Sequence, residues 1–575
     1  DWHLRAEALR QVRAAEAPPQ HTRWWVDHLV AAAIARSVPI TRTSDGVEEP
    51  APLRRANGDS VYYVAGSQLF TSGRVLHAEQ RLVTAAGQHG GMIADPTAID
   101  LALLECAANK VQLNPGQVLL VREMASSGAR VQLAIAPAGS GKTTAMDALS
   151  MAWTASGGNV IGLAPSAAAA AQLGTQMHGH HDTLAKLVWD ITPGLGDPTT
   201  WNQRIGPKTL VIIDEAGMAD TISLDHAVTY ILQRGGSVRL IGDDQQLAAI
   251  GAGGVLRDIQ AHHGALRLTE LLRFTDPAEG SASLALREGQ PAALGFYLDQ
   301  HRIHVGDETT MADHLFNAWA ADRNQGRDTI MLAGTRARVA DLNQRARTQR
   351  LHGDIPSNEV DLADGNRASI GDTIITRQNN RLLRVTANDW VKNGDRWTVT
   401  GTTRTGGLQA RHTQSGRHVT LPADYVAEQV ELGYASTIHT AQGITADTVH
   451  GLLTGTETRQ QAYTMLTRGR HHNAAYLVVV GDGDPHTAIN PETINPSTPT
   501  GILETILARD ESPVSATTQL RNADNPALQL GPAVARYNDA LSFAAAHIAG
   551  DVGLRGLERR VEEALPRITR SPAWP

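Results

Sequence analysis

The feature that most constrains this chain is a glycine-rich loop at residues 136–143, with the sequence APAGSGKT, between an apolar run and a helix-forming run. Gly139 and Gly141 let the backbone curl so that its N–H groups point at phosphate oxygens, and the positive end of the following helix adds to that attraction. Lys142 is expected to reach the β- and γ-phosphates. Ala136 stands where such loops usually carry glycine, and we interpret it as a tolerated small residue. The pattern therefore predicts a nucleotide site with these binding residues: Ala138, Gly139, Ser140, Gly141, Lys142, Thr143 and Thr144.

Two adjacent carboxylates end a later apolar run, at residues 210–213. Asp214 is expected to hold Mg²⁺ through its water shell, with the hydroxyl of Thr143 as a second ligand. Glu215 is expected to polarise the attacking water as a general base. An acidic end on a buried strand also occurs for purely structural reasons, but its place after the phosphate loop in an alternating α/β pattern favours catalysis.

Three further segments carry side chains suited to a γ-phosphate. Gln246 follows an apolar strand and a Gly-Asp turn and is expected to contact the γ-phosphate or its attacking water, whereas Gln245 is expected to face solvent. Arg273 and Arg468 lie in the strings LLRF and YTMLTR. Two arginines that converge on the γ-phosphate would spread the transition-state charge. The predicted catalytic set is therefore Lys142, Asp214, Glu215, Gln246, Arg273 and Arg468.

Composition limits the class of protein. With 575 residues the chain is too long for one core, so about three or four domains are expected. A net charge of −8 argues weakly against a protein that coats nucleic acid, so any DNA contact must come from local grooves. The single cysteine, Cys106, excludes an intrachain disulfide and a cysteine-based zinc site, which suits a cytoplasmic location. We expect no membrane segment. The first residue is Asp1 rather than Met, which suggests a piece of a longer polypeptide.

Apolar strands alternate with helices over much of the chain, which predicts an α/β fold with parallel sheets. Short runs separated by turns at Gly406 and Gly416 interrupt this pattern and indicate β-hairpins. The predicted regions are a mostly helical segment at 1–110, a first sheet domain at 111–270, a second at 271–345 plus 430–485, an inserted small β-barrel at 346–429, and a helical tail at 486–575.

These segments, with the string GYASTIHTAQG at residues 433–443 and the pair at 467–468, resemble the motifs of superfamily 1B DNA helicases of the RecD type. The chain resembles more closely the helicase region of conjugative relaxases of the TrwC/TraI (MobF) kind, over about residues 111–485. The resemblance implies two RecA-like P-loop domains that move 5′ to 3′ along single-stranded DNA, with ATP between them. It also implies that residues of about 179–206 form a short wedge that splits duplex, and that the inserted barrel is a second accessory domain.

The same resemblance assigns roles to individual residues. Gln117 matches the glutamine that reads adenine. Thr440, Gln442 and Gly443 match the segment that links the nucleotide to the DNA strand. His439 would lie near that strand, with a hydrogen-bonded structural histidine as the alternative.

Other candidates for DNA contact follow from their places in the pattern. Ser166, Thr335 and Arg336 begin helices or turns at the ends of strands, where hydroxyl and backbone donors can hold phosphates. Tryptophans can stack on bases, although those of small domains are more often core residues. The tryptophans concerned are Trp189, Trp201, Trp390 and Trp397.

The nicking half of a relaxase is not expected here. Nicking in that family needs a histidine triad on a metal and a catalytic tyrosine near the N-terminus, and residues 1–110 do not supply this set. The string His178-Gly-His-His181 lies in the first sheet domain, without that context, so we do not expect it to bind a metal. Residues of about 68–83 resemble the segment that precedes the helicase core in these relaxases.

The sequence thus predicts an ATP-dependent DNA helicase with ATP and Mg²⁺ as cofactors. Its expected partners are single-stranded DNA, duplex junctions and the conjugation machinery. Three alternatives stay open: a RecD-type repair or recombination helicase, a single-stranded-DNA-binding module with an inactive motor, and an ATP-driven remodeller that translocates without unwinding.

Overall fold

The computed structural model describes residues 2–41, 51–56, 58, 60–62, 68–177, 179–247, 251–353, 356, 358–386, 389–480 and 498–552. The chain forms two compact units, one of Asp1–His77 with Ala516–Pro575 and one of Ala78–Ser515. All residues predicted for the nucleotide and DNA sites belong to the second unit. His178 and the predicted boundary between 485 and 486 lie outside the described residues.

The first unit begins with a pair of helices joined by apolar contacts of Ala8, Val12, Val26 and Val30. A short antiparallel strand pair follows. The elements are α1 (Trp2–Ala14), α2 (Thr22–Ala35), β1 (Val38–Pro39) and β2 (Phe70–Thr71).

Three helices lead into the first sheet domain, which we call the first lobe: α3 (Gly73–Ala86), α4 (Pro96–Ala108) and α5 (Pro115–Ser126). Leu82 of α3 shares an apolar core with Leu133 of the sheet, and Ile99 of α4 shares another with Leu149. The compact unit therefore begins at Ala78, upstream of the predicted boundary at 111.

A parallel sheet forms the first lobe, and its described strands follow the order β5-β4-β6-β7-β3-β8. The central strand at Thr209–Ile213 is buried along its whole length, which is typical of a sheet covered by helices on both faces. The elements are β3 (Val131–Ile135), α6 (Lys142–Ala155), β4 (Asn159–Ala164), α7 (Ala167–Gln176), β5 (His180–Thr183), α8 (Leu184–Ile191), α9 (Thr199–Arg204), β6 (Thr209–Ile213), α10 (Thr221–Gln233), β7 (Ser237–Gly242), α11 (Val255–His263) and β8 (Leu266–Arg267).

The second sheet domain, which we call the second lobe, starts with α12 (Pro277–Arg287), α13 (Ala293–Asp299), β9 (Ile303–Asp307), α14 (Glu308–Asn324), β10 (Thr329–Ala333) and α15 (Arg336–Leu351). An inserted segment then interrupts it. The insert contains β11 (Val360–Asp361), β12 (Arg367–Ala368), β13 (Thr373–Thr376), β14 (Asn380–Thr386), β15 (Asp389–Val391), β16 (Arg396–Thr402), β17 (Leu408–His412), β18 (His418–Leu421), α16 (Ala423–Gln429) and β19 (Val430–Leu432).

The main sheet of the insert is antiparallel, with its described strands in the order β18-β17-β16-β13-β19. Gly406 and Gly416 have φ angles of 86° and 69°, and they turn the chain between paired strands as the sequence predicted. Trp397, Leu408 and Leu421 fill its core. Both ends of the insert lie later than predicted, because α15 of the second lobe continues to Leu351 and β19 ends at Leu432.

The chain then returns to the second lobe with β20 (Ala435–Thr437), β21 (Ala446–Leu453), α17 (Arg459–Met465), β22 (Gly469–Val480) and α18 (Pro499–Ala508). The described strands of this lobe form a parallel sheet in the order β20-β10-β21-β22-β9. Asn343 of α15 ties the C-terminal end of the insert to the second lobe, because it donates to the Leu432 carbonyl at 3.1 Å and accepts from the Ala435 N–H at 2.8 Å.

Two helices of the first unit end the described chain, α19 (Ala516–Asp524) and α20 (Pro526–Val552). The predicted fold class is confirmed: two RecA-like parallel-sheet P-loop domains carry an inserted β-rich segment and helical extensions.

Candidate nucleotide and DNA site

The phosphate loop joins β3 to α6 and bends at two glycines. Gly139 and Gly141 have φ angles of 86° and 71°, which residues with a side chain rarely adopt. A Cβ atom on Gly139 would lie 2.5 Å from Cβ of Arg273, and one on Gly141 would lie 2.4 Å from Nε2 of Gln117. Both positions therefore require glycine for backbone shape and for space.

Lys142, at the start of α6, meets both predicted carboxylates. Its Nζ lies 3.3 Å from Oδ1 of Asp214 and 2.5 Å from Oε1 of Glu215. Burial alone would lower the pKa of Lys142, but the two carboxylates raise it above its usual value. The sequence prediction that these three residues share one site agrees with this geometry.

The two carboxylates differ electrostatically. Burial would raise the pKa of Glu215, but the positive charges of Lys142, Arg468 and Arg273 lower it. Burial raises the pKa of Asp214 even though Lys142 opposes this effect. Glu215 is therefore the carboxylate whose charged form its surroundings favour, as a general base requires.

A magnesium ion fits the donors at this place. Asp214 offers a carboxylate, and Thr143, in the first turn of α6, offers a hydroxyl. Such hard oxygen donors suit Mg²⁺, and a divalent cation would stabilise the ionised form of the buried Asp214.

Arg273 and Arg468 converge on the same cluster. Nη1 of Arg273 donates to the Thr467 carbonyl at 2.6 Å. Arg468 is 2 % exposed, and its Nε donates to the Thr464 carbonyl at 2.9 Å. Burial and the nearby Arg468 lower the pKa of Arg273 to about 9. Two buried guanidinium groups with carbonyl acceptors form a site that favours an anion such as a polyphosphate.

Gln246 links the first lobe to the segment predicted to reach DNA. Its Nε2 donates to Oδ2 of Asp243 at 3.3 Å, and its Oε1 accepts from Nε2 of Gln442 at 3.4 Å. Gln442 also donates to the Leu247 carbonyl at 3.4 Å. The sequence predicted Gln246 and Gln442 separately, and the structure places them in contact.

Gln245 differs from the sequence prediction, which favoured a position in solvent. It is half-buried, and its Oε1 accepts from Arg459 and from Ser512, each at 3.4 Å. The segment after α18 covers this side chain, and that long-range contact is invisible in the local sequence.

Gln117 holds the phosphate loop directly. It is 1 % exposed, and its Nε2 donates to the carbonyls of Ser140 and Gly141 at 3.3 and 3.0 Å. Its Oε1 accepts from the Asn114 N–H at 2.9 Å as part of a capping box at the start of α5. To read adenine, Gln117 would have to exchange some of these partners, so that role stays a prediction.

Ser166 and Thr335 occupy equivalent places in the two lobes. Ser166 follows β4 and accepts from the Ala169 N–H at 3.1 Å, and Thr335 follows β10 and accepts from the Arg338 N–H at 3.4 Å. Each hydroxyl therefore caps a helix whose N-terminus can hold a phosphate. Arg336 is the exposed first residue of α15.

The loop after β20 carries the remaining predicted DNA residues. His439 and Gly443 are exposed, and Gly443 has a φ of 82°. The Thr440 hydroxyl lies 2.9 Å from that of Thr437 and accepts from Arg377 at 3.4 Å. The assignment of these residues to DNA stays a prediction.

The four tryptophans divide into two groups. Trp201 and Trp397 are core residues, and Nε1 of Trp201 donates to Asp190 at 2.8 Å. The core role that the sequence favoured for such tryptophans therefore holds for these two, because their rings are enclosed. Trp189 is 54 % exposed in the predicted wedge, and Trp390 is half-buried beneath Arg381 at 4.8 Å.

The histidine string in the first lobe has ordinary contacts where it is described. His180 makes an edge contact with Trp201, with ring centroids 5.3 Å apart. Across the described parts of the chain, no group of three or more His, Cys, Asp or Glu side chains is arranged to hold a metal ion. A separate search of the same residues for a helix long and apolar enough to cross a membrane finds none.

Sequence reasoning missed a second cluster, around Asp243. Oδ2 of Asp243 accepts from the Tyr463 hydroxyl at 3.0 Å, and Oδ1 accepts from Nε of Arg287 at 2.9 Å. Tyr463 lies in the string already singled out for Arg468, and Asp243 lies in the turn already singled out for Gln246. Both residues could therefore have been found from the sequence. Nothing local distinguishes Arg287 from a surface arginine.

Known families match two parts of the chain. A family described as an AAA domain matches residues 112–308, which contain the first lobe and the start of the second. A family described as the Rv2311 SH3-like barrel domain matches residues 360–431, which are the insert.

Curated relatives include conjugal transfer proteins. The TraA protein of Agrobacterium fabrum is 28 % identical over 424 residues, which cover 72 % of this chain and 35 % of that protein. The probable TraA protein of Sinorhizobium fredii is 28 % identical over 365 residues, or 62 % of this chain and 31 % of that protein. The chain thus spans about a third of the length of these relatives. The uncharacterized protein Rv2311 of Mycobacterium tuberculosis is 37 % identical over 92 residues, or 16 % of this chain and 53 % of that protein.

Solved structures with a similar fold include Bacteroides Pif1 bound to single-stranded DNA. It is 20 % identical, with a TM-score of 0.44, and the match covers 67 % of this chain and 95 % of that one. A Bacteroides Pif1 complex with ADP-AlF3 and single-stranded DNA gives the same identity and TM-score over 65 % of this chain and 92 % of that one.

Proposed function

We propose that this chain, a superfamily 1B helicase core related to conjugative relaxases, uses ATP to move 5′ to 3′ along single-stranded DNA and to separate duplex strands. The observation that carries the proposal is the convergence of Arg273 and Arg468 on the Lys142–Glu215 pair. Residues distant in sequence thus surround one phosphate-binding loop.

Each residue of this cluster has a chemical task in hydrolysis. The loop N–H groups and Lys142 hold the β- and γ-phosphates. Glu215 orients the attacking water and accepts its proton, while Gln246 positions the same water. Arg273 and Arg468 stabilise the charge that develops on the transferred phosphoryl group. Thr143 and Asp214 would hold Mg²⁺, which would supply positive charge to the β- and γ-phosphates.

Coupling to DNA is proposed to run through Gln442. This side chain belongs to the loop after β20 and contacts Gln246 and Leu247 of the first lobe. Movement of the loop along a strand therefore changes the surroundings of the γ-phosphate, and the reverse also holds.

The conjugal transfer relatives support a role in DNA mobilisation. Single-stranded DNA, duplex junctions and the conjugation machinery are the proposed partners, and the cytoplasm is the proposed location.

The deciding experiment measures ATP hydrolysis with and without single-stranded DNA, for the chain and for Lys142→Ala. We expect DNA to stimulate turnover, and Lys142→Ala to lower the stimulated rate by about 10²- to 10³-fold. Lys208→Ala, at an exposed lysine, is the matched control.

A second assay tests strand separation and polarity. Duplexes with a 5′ or a 3′ single-stranded tail are incubated with ATP, and we expect unwinding of the 5′-tailed substrate. Turnover that ignores DNA would contradict the motor, whereas stimulated turnover without unwinding would leave a translocase.

A further inference from the structure

The Tyr463 hydroxyl occupies a place between the phosphate loop and the residues that follow β7. The side chain belongs to α17 of the second lobe and is 1 % exposed. Its oxygen accepts from the Ala138 N–H at 3.2 Å and its proton is donated to Oδ2 of Asp243 at 3.0 Å. One hydroxyl of the second lobe thus joins two separate segments of the first.

Asp243 is fixed by several other donors. Nε and Nη2 of Arg287 lie 2.9 and 2.8 Å from Oδ1, and the Gln245 N–H donates to the same oxygen at 3.1 Å. Nε2 of Gln246 donates to Oδ2 at 3.3 Å. Because Oδ2 accepts from both Tyr463 and Gln246, a shift of one donor changes the position of the other.

The chain of contacts continues to the predicted DNA loop, because Oε1 of Gln246 accepts from Gln442. We propose that Tyr463 is a positioning residue that transmits the state of the phosphate loop, through Asp243 and Gln246, to Gln442. This inference rests on the proposed function, because it names a path by which that motor couples ATP to DNA.

The position of Ala138 gives the path a physical cause. Backbone N–H groups of a phosphate loop are donors to phosphate oxygens, and the Ala138 N–H here donates to Tyr463. A bound phosphate competes for this donor or reorients it, so the Tyr463 contact has different strength in different nucleotide states. A contact of this kind can shift an equilibrium between lobe arrangements.

Deprotonation of Tyr463 does not interrupt the path at physiological pH. Burial and the negative charge of Asp243 raise the pKa of Tyr463 well above its usual value. The hydroxyl therefore keeps its proton and remains a donor to Asp243 at physiological pH.

Tyr463→Phe tests the inference because it removes the oxygen and retains the ring. We expect the ratio of DNA-stimulated to basal kcat to fall about tenfold, the effect of one hydrogen bond to a charged group, while the KM for ATP changes about twofold or less. Tyr297→Phe is a matched control: Tyr297 is 0 % exposed, and its hydroxyl has no hydrogen-bond partner among the described residues, so the ratio should stay unchanged.

A double-variant cycle separates transmission from general loss of packing. Tyr463 and Gln442 are both hydrogen-bonded to the Asp243–Gln246 pair. Tyr463→Phe and Gln442→Ala should therefore remove the same part of the stimulation of kcat by DNA. We expect the ratio of DNA-stimulated to basal kcat in the double variant to be no lower than in the single variant that has the lower ratio. Losses that multiply would overturn the path. If Tyr463→Phe unfolds at the assay temperature, Asp243→Asn tests the same path, and we expect it to lower the ratio by the same factor.

The outcomes distinguish the two proposals. If DNA fails to stimulate the unaltered chain, the proposed function is wrong and the path has nothing to transmit. If DNA stimulates the chain and Tyr463→Phe retains the full ratio, the inference about Tyr463 alone is wrong.

Discussion

At the scale of single residues, Glu215, the proposed general base, has an unusual backbone conformation. Its φ of 51° lies in the left-handed region, which a residue with a side chain enters at a cost of about 1–3 kcal/mol. The conformation lets the carboxylate turn toward Lys142 directly after β6, while its own N–H donates to Asp214 at 2.8 Å. Local strain thus lies where the proposed general base needs a fixed direction.

Glu215→Gln should separate binding from hydrolysis. The amide keeps the shape of the side chain but cannot accept the proton of the water, so we expect ATP turnover to fall by about 10²- to 10⁴-fold. Nucleotide binding should persist, as measured by equilibrium binding of a fluorescent ATP analogue. Glu270→Gln, at an exposed glutamate, serves as the control. Normal turnover by Glu215→Gln would remove Glu215 from the mechanism.

At the scale of elements, the three neighbouring strands β9, β21 and β22 each contribute a histidine to a partly buried cluster beside α14: His304, His450 and His472. His472 contacts Arg302, and burial followed by that guanidinium lowers its pKa to about 4. His450 and His304 also oppose its protonation, whereas Asp322 favours it. His472 is therefore neutral in the folded chain at pH values where an unfolded one is protonated.

This difference predicts a pH dependence of stability. Between the ordinary pKa of 6.5 and about 4, the unfolded chain binds a proton that the folded chain does not, so stability falls on acidification through this window. After allowance for solvent screening we expect a loss of about 1–2 kcal/mol from this group. Urea unfolding between pH 7 and 4 measures it. His472→Gln should flatten the slope and His471→Gln, at the exposed neighbour, should not.

Helices α8 and α9 each carry one tryptophan, which is exposed in α8 and belongs to the core in α9. Trp201→Phe removes the donor to Asp190, so we expect a loss of about 1–3 kcal/mol in the free energy of unfolding. Trp189→Phe should leave stability within about 0.5 kcal/mol, because Trp189 is largely exposed. Denaturant unfolding followed by circular dichroism checks both. Equal losses at the two positions would contradict this division of roles.

At the scale of the whole molecule, the residues predicted for the nucleotide and DNA sites all lie in Ala78–Ser515, which has its own apolar cores. A chain limited to these residues should unfold cooperatively and retain DNA-stimulated ATP turnover within about twofold of the full chain. Calorimetry and the hydrolysis assay test this expectation. A fragment that folds but loses stimulation would assign part of the coupling to the other unit.

Where a site is local, sequence reasoning grouped residues that the structure also brings together, and their catalytic roles stay predictions. The phosphate loop, Asp214 and Glu215 are recognisable because consecutive residues carry the chemistry. It failed where contacts join distant segments: Tyr463 and Asp243 are 220 residues apart, and Arg287 and Asp243 are 44 apart. Gln245 was misplaced for the same reason, since the segment that covers it lies far along the chain.

The junction at Asn343 has a consequence for how such a chain can diversify. One side chain on the helix before the insert fastens the last residue of the insert and the first residue of the returning strand, so the chain re-enters the second lobe at a fixed place. The insert can therefore change in sequence while β20 keeps its register, because Asn343 contacts only backbone atoms of Leu432 and Ala435.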